Sequence, residues 1–400
     1  MEGGRRKEQR DRTKGKGGGR LPNSLPRTLP GSSALRLTQR ASDAAMSKVE
    51  GLDTILVTGG AGFVGSHTIV ELLKAGYKVV VVDSCINSHP PEEGHDLPPV
   101  LERVQNLTGK TVTFHHLSIL DRDALKEVFL KHKVDAVIHF AALKAVGESV
   151  KRPLDYYHNN ITGTAMLLRV MGEVGVKRLV FSSSSTVYGP AKYFPTDEEH
   201  PTGQGVTNPY GRSKFVCEEM MKDLAKAEEG WQLVLLRYFN PVGAHPSGDI
   251  GEDPLGIPVN LMPYIAQVAV GRRERINVFG GDWDTPDHTC IRDFMHVMDL
   301  AEGHTAALTK FGDPAFRGAK PFNLGRGKGV SVLEMIAAFS RACGKELPYK
   351  IVGRRWGDVQ QTTSSGKLAE KEFGWKATRT LDDMCADTWR WQSKNPNGYL

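Results

Sequence analysis

An apolar strand that runs directly into TGGAGFVG leaves a chain few folds to choose from. Residues 54–58 read TILVT, and the glycines that follow fit two overlapping patterns, Gly59-x-x-Gly62-x-x-Gly65 and Gly60-x-Gly62-x-x-Gly65. Glycines so spaced permit a tight turn and let a pyrophosphate approach backbone N–H groups at the start of the next helix, whose partial positive charge favours an anion. A helical pattern over 64–75 and a second strand, KVVVVD, complete the unit, and that strand ends in Asp83, 18 residues beyond Gly65. A carboxylate there accepts hydrogen bonds from ribose hydroxyls and repels a 2′-phosphate. Strand, turn, helix and acid together point to NAD rather than NADP. The competing reading is a glycine-rich turn that binds nothing.

The alternation continues. Further strand patterns stand at TVTFHHLSI, DAVIHFAA, RLVFSSS and LVLLRYFN, separated by helical candidates over 122–132, 155–174 and 210–228. Such spacing predicts an α/β fold, a doubly wound parallel sheet of the Rossmann type. Beyond Asn240 the spacing becomes irregular and richer in Pro and Gly, with helical patterns near 331–343 and 380–394. The expected organisation is a basic extension over 1–46, a NAD-binding domain over 47–240, and a smaller C-terminal substrate domain over 241–400 that partly interleaves with it.

Charge excludes one class of partner. Residues 1–46 hold 11 Lys plus Arg against 4 Asp plus Glu, so the other 354 residues carry −1 of the chain's formal +6. No basic footprint for nucleic acid remains. The extension has no apolar periodicity and is expected to stay unfolded; acidic residues and a glycine run argue against a transit peptide, and Met46 is an alternative start. No apolar run approaches the roughly 18 residues of a membrane span. The five cysteines, Cys85, Cys217, Cys290, Cys343 and Cys385, form no CxxC, and among the 13 histidines there is no HExxH. Reduced thiols, a cytoplasmic location and no metal site are the expectations; His245, His288 and His296 read as packing or surface residues.

Two segments carry candidate chemistry. FSSSSTVYG ends the fifth strand at the edge where ligands of such sheets sit, although serines there also cap turns. In NPYGRSK, Tyr210 and Lys214 are four residues apart at a helix start and share a face. A phenol that ionises near pH 10 is a poor base at neutrality, but a nearby ammonium and a positively charged nicotinamide both favour its phenolate.

Glycine motif, serine after a strand and YxxxK helix together resemble the extended short-chain dehydrogenase/reductase family. The runs GGAGFVGSHT, HFAALKAVGESV, PLDYY, FSSSSTVYG, TNPYGRSK, LRYFNPVGAH, GEDP and RDFMHVMDLA, in this order, make residues 54–397 similar to its nucleotide-sugar 4-epimerases. The resemblance implies an isomerase of galactose metabolism that inverts C4 of UDP-galactose or UDP-glucose through a 4-keto sugar, with hydride passing to bound NAD and returning to the opposite face. It implies Tyr210 as acid/base, Lys214 as its partner and Ser184 as the serine on the sugar hydroxyl. Cofactor contacts map onto Gly59, Gly62, Phe63, Val64, Gly65, Asp83, Asn87, Ser118, Ile119, Phe140, Lys144, Asn159 and Tyr238. Substrate contacts map onto Ser184, Ser185, Thr186, Asn240, Asn260, Leu261, Asn277, Phe279, Arg292, Arg355, Asp358 and Thr362, two of them arginines suited to a diphosphate. It also implies a homodimer that pairs through the helices over 155–174 and 210–228.

The chain departs from the family pattern at Ser118, where an aspartate is usual, at Val259 for asparagine, at Arg326 for threonine, and at Gln204, which reads as an insertion. Related 4,6-dehydratases and decarboxylases place an acid where Ser185 and Thr186 stand. Non-catalytic NAD-binding scaffolds of this fold usually lose the tyrosine or the lysine. Thr362, where a tyrosine would exclude N-acetylated sugars, implies room for UDP-GlcNAc and UDP-GalNAc.

Overall fold

Seven parallel strands form the central sheet of the computed structural model, which describes residues 48–399. They are β1 (Thr54–Thr58), β2 (Lys78–Asp83), β3 (Thr113–His116), β4 (Ala136–His139), β5 (Arg178–Ser184), β6 (Gln232–Tyr238) and a later strand, Gly318–Leu324. The order across the sheet is Gly318–Leu324, β6, β5, β4, β1, β2, β3. The sense of winding reverses between β1 and β4, which opens a crevice at their carboxyl ends.

Alternate residues of each strand feed two cores. Ile55, Val57, Val79, Val81, Ile138, Val180 and Val234 pack on one face with Ile69 and Leu72 of the helix Phe63–Lys74. Leu56, Val80, Val82, Val137, Leu179 and Leu233 pack on the other with Leu125, Leu167, Met171 and Met221. Burial on both faces explains why these strands read as continuous apolar runs.

Several expectations need correction. TVTFHHLSI is strand only over Thr113–His116, so Ser118 and Ile119 lie in the loop beyond it. The run over 155–174 is not one uniform α-helix: Pro153–Tyr156 and Gly163–Val174 are joined through a π-helical stretch, Tyr157–Thr162. Within that stretch Asn160 turns inward, accepts from Leu143 N (2.9 Å) and donates to Ser213 Oγ (2.9 Å), tying it to the helix Pro209–Ala227. Residues beyond 240, expected to interleave in part with the first domain, supply both the seventh strand and the helix Val297–Ala307, whose Leu300 and Ala306 join the first core. The rest build a separate sheet around Ile291–His296 and a third core with Met262, Phe294, Met335 and Phe339. The expected unfolded extension over 1–46 lies outside the described residues.

His67, His139 and His304 are buried within these layers, at 0%, 1% and 0% exposure. Burial lowers the pKa of His67 and His139 to about 3 and that of His304 to about 4. Unfolded, each ionises near 6.5, so between pH 6.5 and about 4 the unfolded chain binds protons that the folded chain does not. Stability is therefore complete above pH 6.5 and is lost as pH falls, at up to ~1.4 kcal/mol per pH unit for each histidine. Melting temperatures measured from pH 7.5 to 5 are expected to fall steadily; a flat profile would contradict the assignment.

Candidate functional site

At the sheet crevice the glycine loop has no room for side chains. Gly59 has a φ of +73°, and a Cβ there would lie 2.6 Å from the backbone N of Ala141; one at Gly65 would lie 2.4 Å from the carbonyl of Gly59. Gly62 caps the helix Phe63–Lys74 with no side-chain hydrogen bond, and its first turn, opened by Phe63 and Val64, holds no acid. Its N–H groups remain available to an anion. Asp83 closes the loop from β2: its Oδ2 accepts from Ala61 N (2.9 Å) and its Oδ1 from Cys85 N (2.8 Å). Burial pushes the Asp83 pKa up and these N–H groups oppose it, while each oxygen keeps a second lone pair for a donor such as a ribose hydroxyl. A bare helix start, a cradle without Cβ atoms and a tethered carboxylate fit NAD.

The remaining candidate cofactor residues cluster around this edge. Asn87 is exposed in the loop after β2, and Ser118 Oγ accepts from Leu120 N (3.2 Å) beside the buried Ile119. Phe140 follows β4 and its N donates to Thr58 O (2.9 Å). Lys144 pairs with Glu252 (3.1 Å), Asn159 donates to Asn160 (3.0 Å), and Tyr238 at the end of β6 has its hydroxyl 2.6 Å from His304 Nε2.

Beside the cradle, the end of β5 faces the helix Pro209–Ala227. Asn208 caps that helix by accepting from Gly211 N (2.8 Å), and Pro209 fills its first position. In the first turn stands Tyr210, on the side of Ser184; burial raises the phenol's pKa and the serine opposes it. Lys214, 3% exposed, donates to the Ser182 carbonyl (2.5 Å), and burial brings its pKa down to about 8. Lys214 thus gives this hydrogen bond to the strand backbone and not to the phenol, so support of a Tyr210 phenolate would act through its charge. Ser184 also caps, accepting from Thr186 N (3.2 Å) and Thr186 Oγ1 (3.0 Å) as Ser185–Tyr188 turns into a 3-10 helix.

Residues 55–325 match the model of the NAD dependent epimerase/dehydratase family. The chain belongs to this family. It is 57% identical over 349 residues to the UDP-glucose 4-epimerase of Mus musculus, covering 87% of this chain and 99% of that one. Among solved structures it resembles the UDP-glucose 4-epimerase from Bifidobacterium longum in complex with NAD+ and UDP, with a TM-score of 0.82 and 51% identity across 86% of this chain and 99% of that one. The enzyme from Stenotrophomonas maltophila, with NAD and formylated UDP-arabinopyranose, gives a TM-score of 0.81 and 47% identity across 86% and 98%.

On the substrate side this member of the epimerase/dehydratase family gathers its candidates around the second sheet. Asn240 opens the strand Asn240–Val242 opposite Phe294, and Asn260 precedes the helix Leu261–Ala269 with its Nδ2 3.4 Å from Glu252. Asn277 and Phe279 are exposed on the strand Ile276–Phe279, and the Arg355 guanidinium lies 5.4 Å from the Phe279 ring centre. The two arginines expected on a diphosphate both reach Asp358, Arg355 at 2.8 Å and Arg292 at 3.7 Å. One carboxylate fixes both cations at one place. Thr362 pairs with Arg292 across the sheet, and its Oγ1 is buried with no partner.

The departures from the family pattern lie beside these groups without touching Ser184, Tyr210 or Lys214. Val259 is exposed and its carbonyl is 3.5 Å from Arg355, while Arg326 donates its backbone N to Asp293 (2.9 Å). Gln204 accepts from Lys192 (3.2 Å) at the surface. Among the described residues no three His, Cys, Asp or Glu side chains are grouped to hold a metal. His296 caps the helix Val297–Ala307 and faces Asp387 at 3.2 Å.

Sequence reasoning missed Glu218, Arg237 and Ser183, which form a buried network directly behind Lys214. The available signal was spacing: Tyr210, Lys214 and Glu218 recur every four residues on one helix face.

Proposed function

We propose that this protein is a UDP-glucose 4-epimerase, an NAD-dependent isomerase that inverts C4 of UDP-galactose and UDP-glucose through a 4-keto sugar. The observation that carries the reading is the docking of the Tyr210/Lys214 helix on the end of β5, through Lys214 and the Ser182 carbonyl, at the same sheet edge as the NAD cradle, with two arginines converging on Asp358. Bound NAD supplies a reversible acceptor for the hydrogen at C4. Gly59, Gly62 and Gly65 admit its pyrophosphate to the helix start, and Asp83 accepts from its adenosine ribose. Tyr210 takes the proton from the sugar 4-hydroxyl and returns it, while Ser184 orients that hydroxyl. Arg292 and Arg355 hold the diphosphate, so the nucleotide is fixed while the planar keto sugar turns.

The direct test is to incubate purified protein with UDP-galactose and no added cofactor. UDP-glucose should appear, and its absence from protein that carries NAD would overturn the reading.

The sugar pocket is proposed to admit N-acetylated substrates as well. Thr362 is smaller than the tyrosine that would exclude them. Wild type should interconvert UDP-GalNAc and UDP-GlcNAc, and Thr362→Tyr should abolish that reaction while sparing UDP-galactose, because overpacking acts only on the added group. No turnover of UDP-GalNAc by wild type would refute the dual range.

A homodimer is inferred from exposed apolar side chains on and beside the helices expected to pair: Val150, Leu154 and Val216 are 41%, 77% and 36% exposed. Light scattering at micromolar concentration should give twice the chain mass. A cytoplasmic location suits the five free cysteines. No helix among the described residues is long and apolar enough to cross a membrane.

A further inference from the structure

Two consecutive serines at the end of β5 hold two residues of one helix face. The Ser182 carbonyl accepts from Lys214 (2.5 Å), and the Ser183 hydroxyl donates to Glu218 Oε1 (2.5 Å). Glu218 is fully buried and accepts two further bonds from Arg237, Nε to Oε1 at 3.0 Å and Nη2 to Oε2 at 2.7 Å. Arg237, 2% exposed, donates in turn to the Tyr188 hydroxyl (3.0 Å), which donates to Asn323 Oδ1 (2.7 Å) on the seventh strand.

A buried ion pair is weak evidence for stability, because well-packed apolar side chains of the same size often do as well. Its place next to the Tyr210/Lys214 turn therefore points to another role. We propose that Glu218, clamped by Arg237 and Ser183, is a positioning residue: it fixes the Lys214 turn against β5 and sets a carboxylate one helical turn from the buried ammonium. This rests on the epimerase reading of Tyr210 and Lys214.

The surroundings of Lys214 leave few alternatives for that charge. From its own helix it faces Cys217, whose thiol burial pushes up to about 11 and keeps neutral, and Glu218; from β4 it faces His139, which burial keeps neutral, and from β5 the ring of Phe181, 4.8 Å away. Tyr238 on β6 has its pKa raised well above 10 by burial and stays neutral. Glu218 itself is faced by Arg237 and, at 4.0 Å, by Lys222. Burial drives Lys214 toward losing its proton, and Cys217 and Glu218 oppose that.

The test is the pH profile of UDP-galactose turnover by the full chain with its co-purified NAD. In the double variant Glu218→Gln/Arg237→Met, which removes both charges at similar volume, the alkaline limb of kcat should move down by up to about one pH unit, because the carboxylate lost stands one helical turn from Lys214 while the loss of Arg237 offsets part of its effect. Ser183→Ala, which leaves both charges in place, should lower kcat severalfold with KM and the alkaline limb unchanged. An unmoved alkaline limb in a folded, NAD-loaded double variant would overturn the proposal. Were that variant not to fold, wild-type kcat in Ser183→Ala would overturn it. Wild type that fails to turn over UDP-galactose would strike at the epimerase reading instead, so the two failures are distinguishable.

Discussion

Tyr210→Phe is expected to lower turnover of UDP-galactose by roughly 100- to 10,000-fold, the range that a positioned acid/base group contributes. The substitution removes one oxygen and nothing else from the helix. Ser184 keeps its bonds from Thr186, Asn208 still caps the helix, and Lys214 still holds the Ser182 carbonyl, so fold and NAD content should be unchanged. The phenol's own environment explains why its loss should be so large. Burial raises its pKa and Lys214 is engaged elsewhere, so in the protein alone the proton stays on oxygen. Proton removal then depends on positive charge arriving with the cofactor, which confines a useful base to the loaded site. Single-turnover kinetics on protein with measured NAD and UDP binding would check this. Near-normal rates would remove Tyr210 from the chemistry.

How far the sequence disclosed this site varied with the range of the interactions involved. The NAD cradle was readable because its parts are local: strand, glycines, helix and Asp83 fall within residues 54–83, and each residue type has one steric or electrostatic reason to be there. The central strands were readable because burial on both faces makes runs such as KVVVVD apolar throughout. Strand Gly318–Leu324 was missed for the converse reason. It lies at the sheet edge, paired only with β6, where Lys320 and Pro321 are tolerated and mask an apolar pattern. The shared hold of Arg292 and Arg355 on Asp358 joins residues from a strand and a distant loop, and no spacing rule encodes it. Glu218 lies between these cases. Its position on the Tyr210/Lys214 face is local information, but its buried partners Ser183 and Arg237 come from two other strands.

Gly65→Ala should strip the protein of NAD while leaving most of the fold in place. The added methyl would stand 2.4 Å from the Gly59 carbonyl oxygen and 2.8 Å from the Gly60 Cα. Both are backbone atoms, so no side chain can rotate away, and relief requires the glycine loop to separate from the helix start. Neither side can yield freely: Gly59 N donates to Val82 O (2.8 Å), and the loop is tied to β2 through Ala61 and Asp83 (2.9 Å). Overpacking of this kind costs about 1–3 kcal/mol. Because the displaced loop is the pyrophosphate cradle, much of that cost should fall on cofactor affinity, weakening it by roughly 5- to 150-fold. The contrast with Gly76 makes the expectation specific, for a Cβ there meets nothing within 4 Å although its φ is +93°. Gly76→Ala should therefore lower the melting temperature through backbone strain alone and keep its NAD. Absorbance of cofactor released from each denatured variant would separate the two cases, and full NAD occupancy in Gly65→Ala would show that the cradle is not where the pyrophosphate binds.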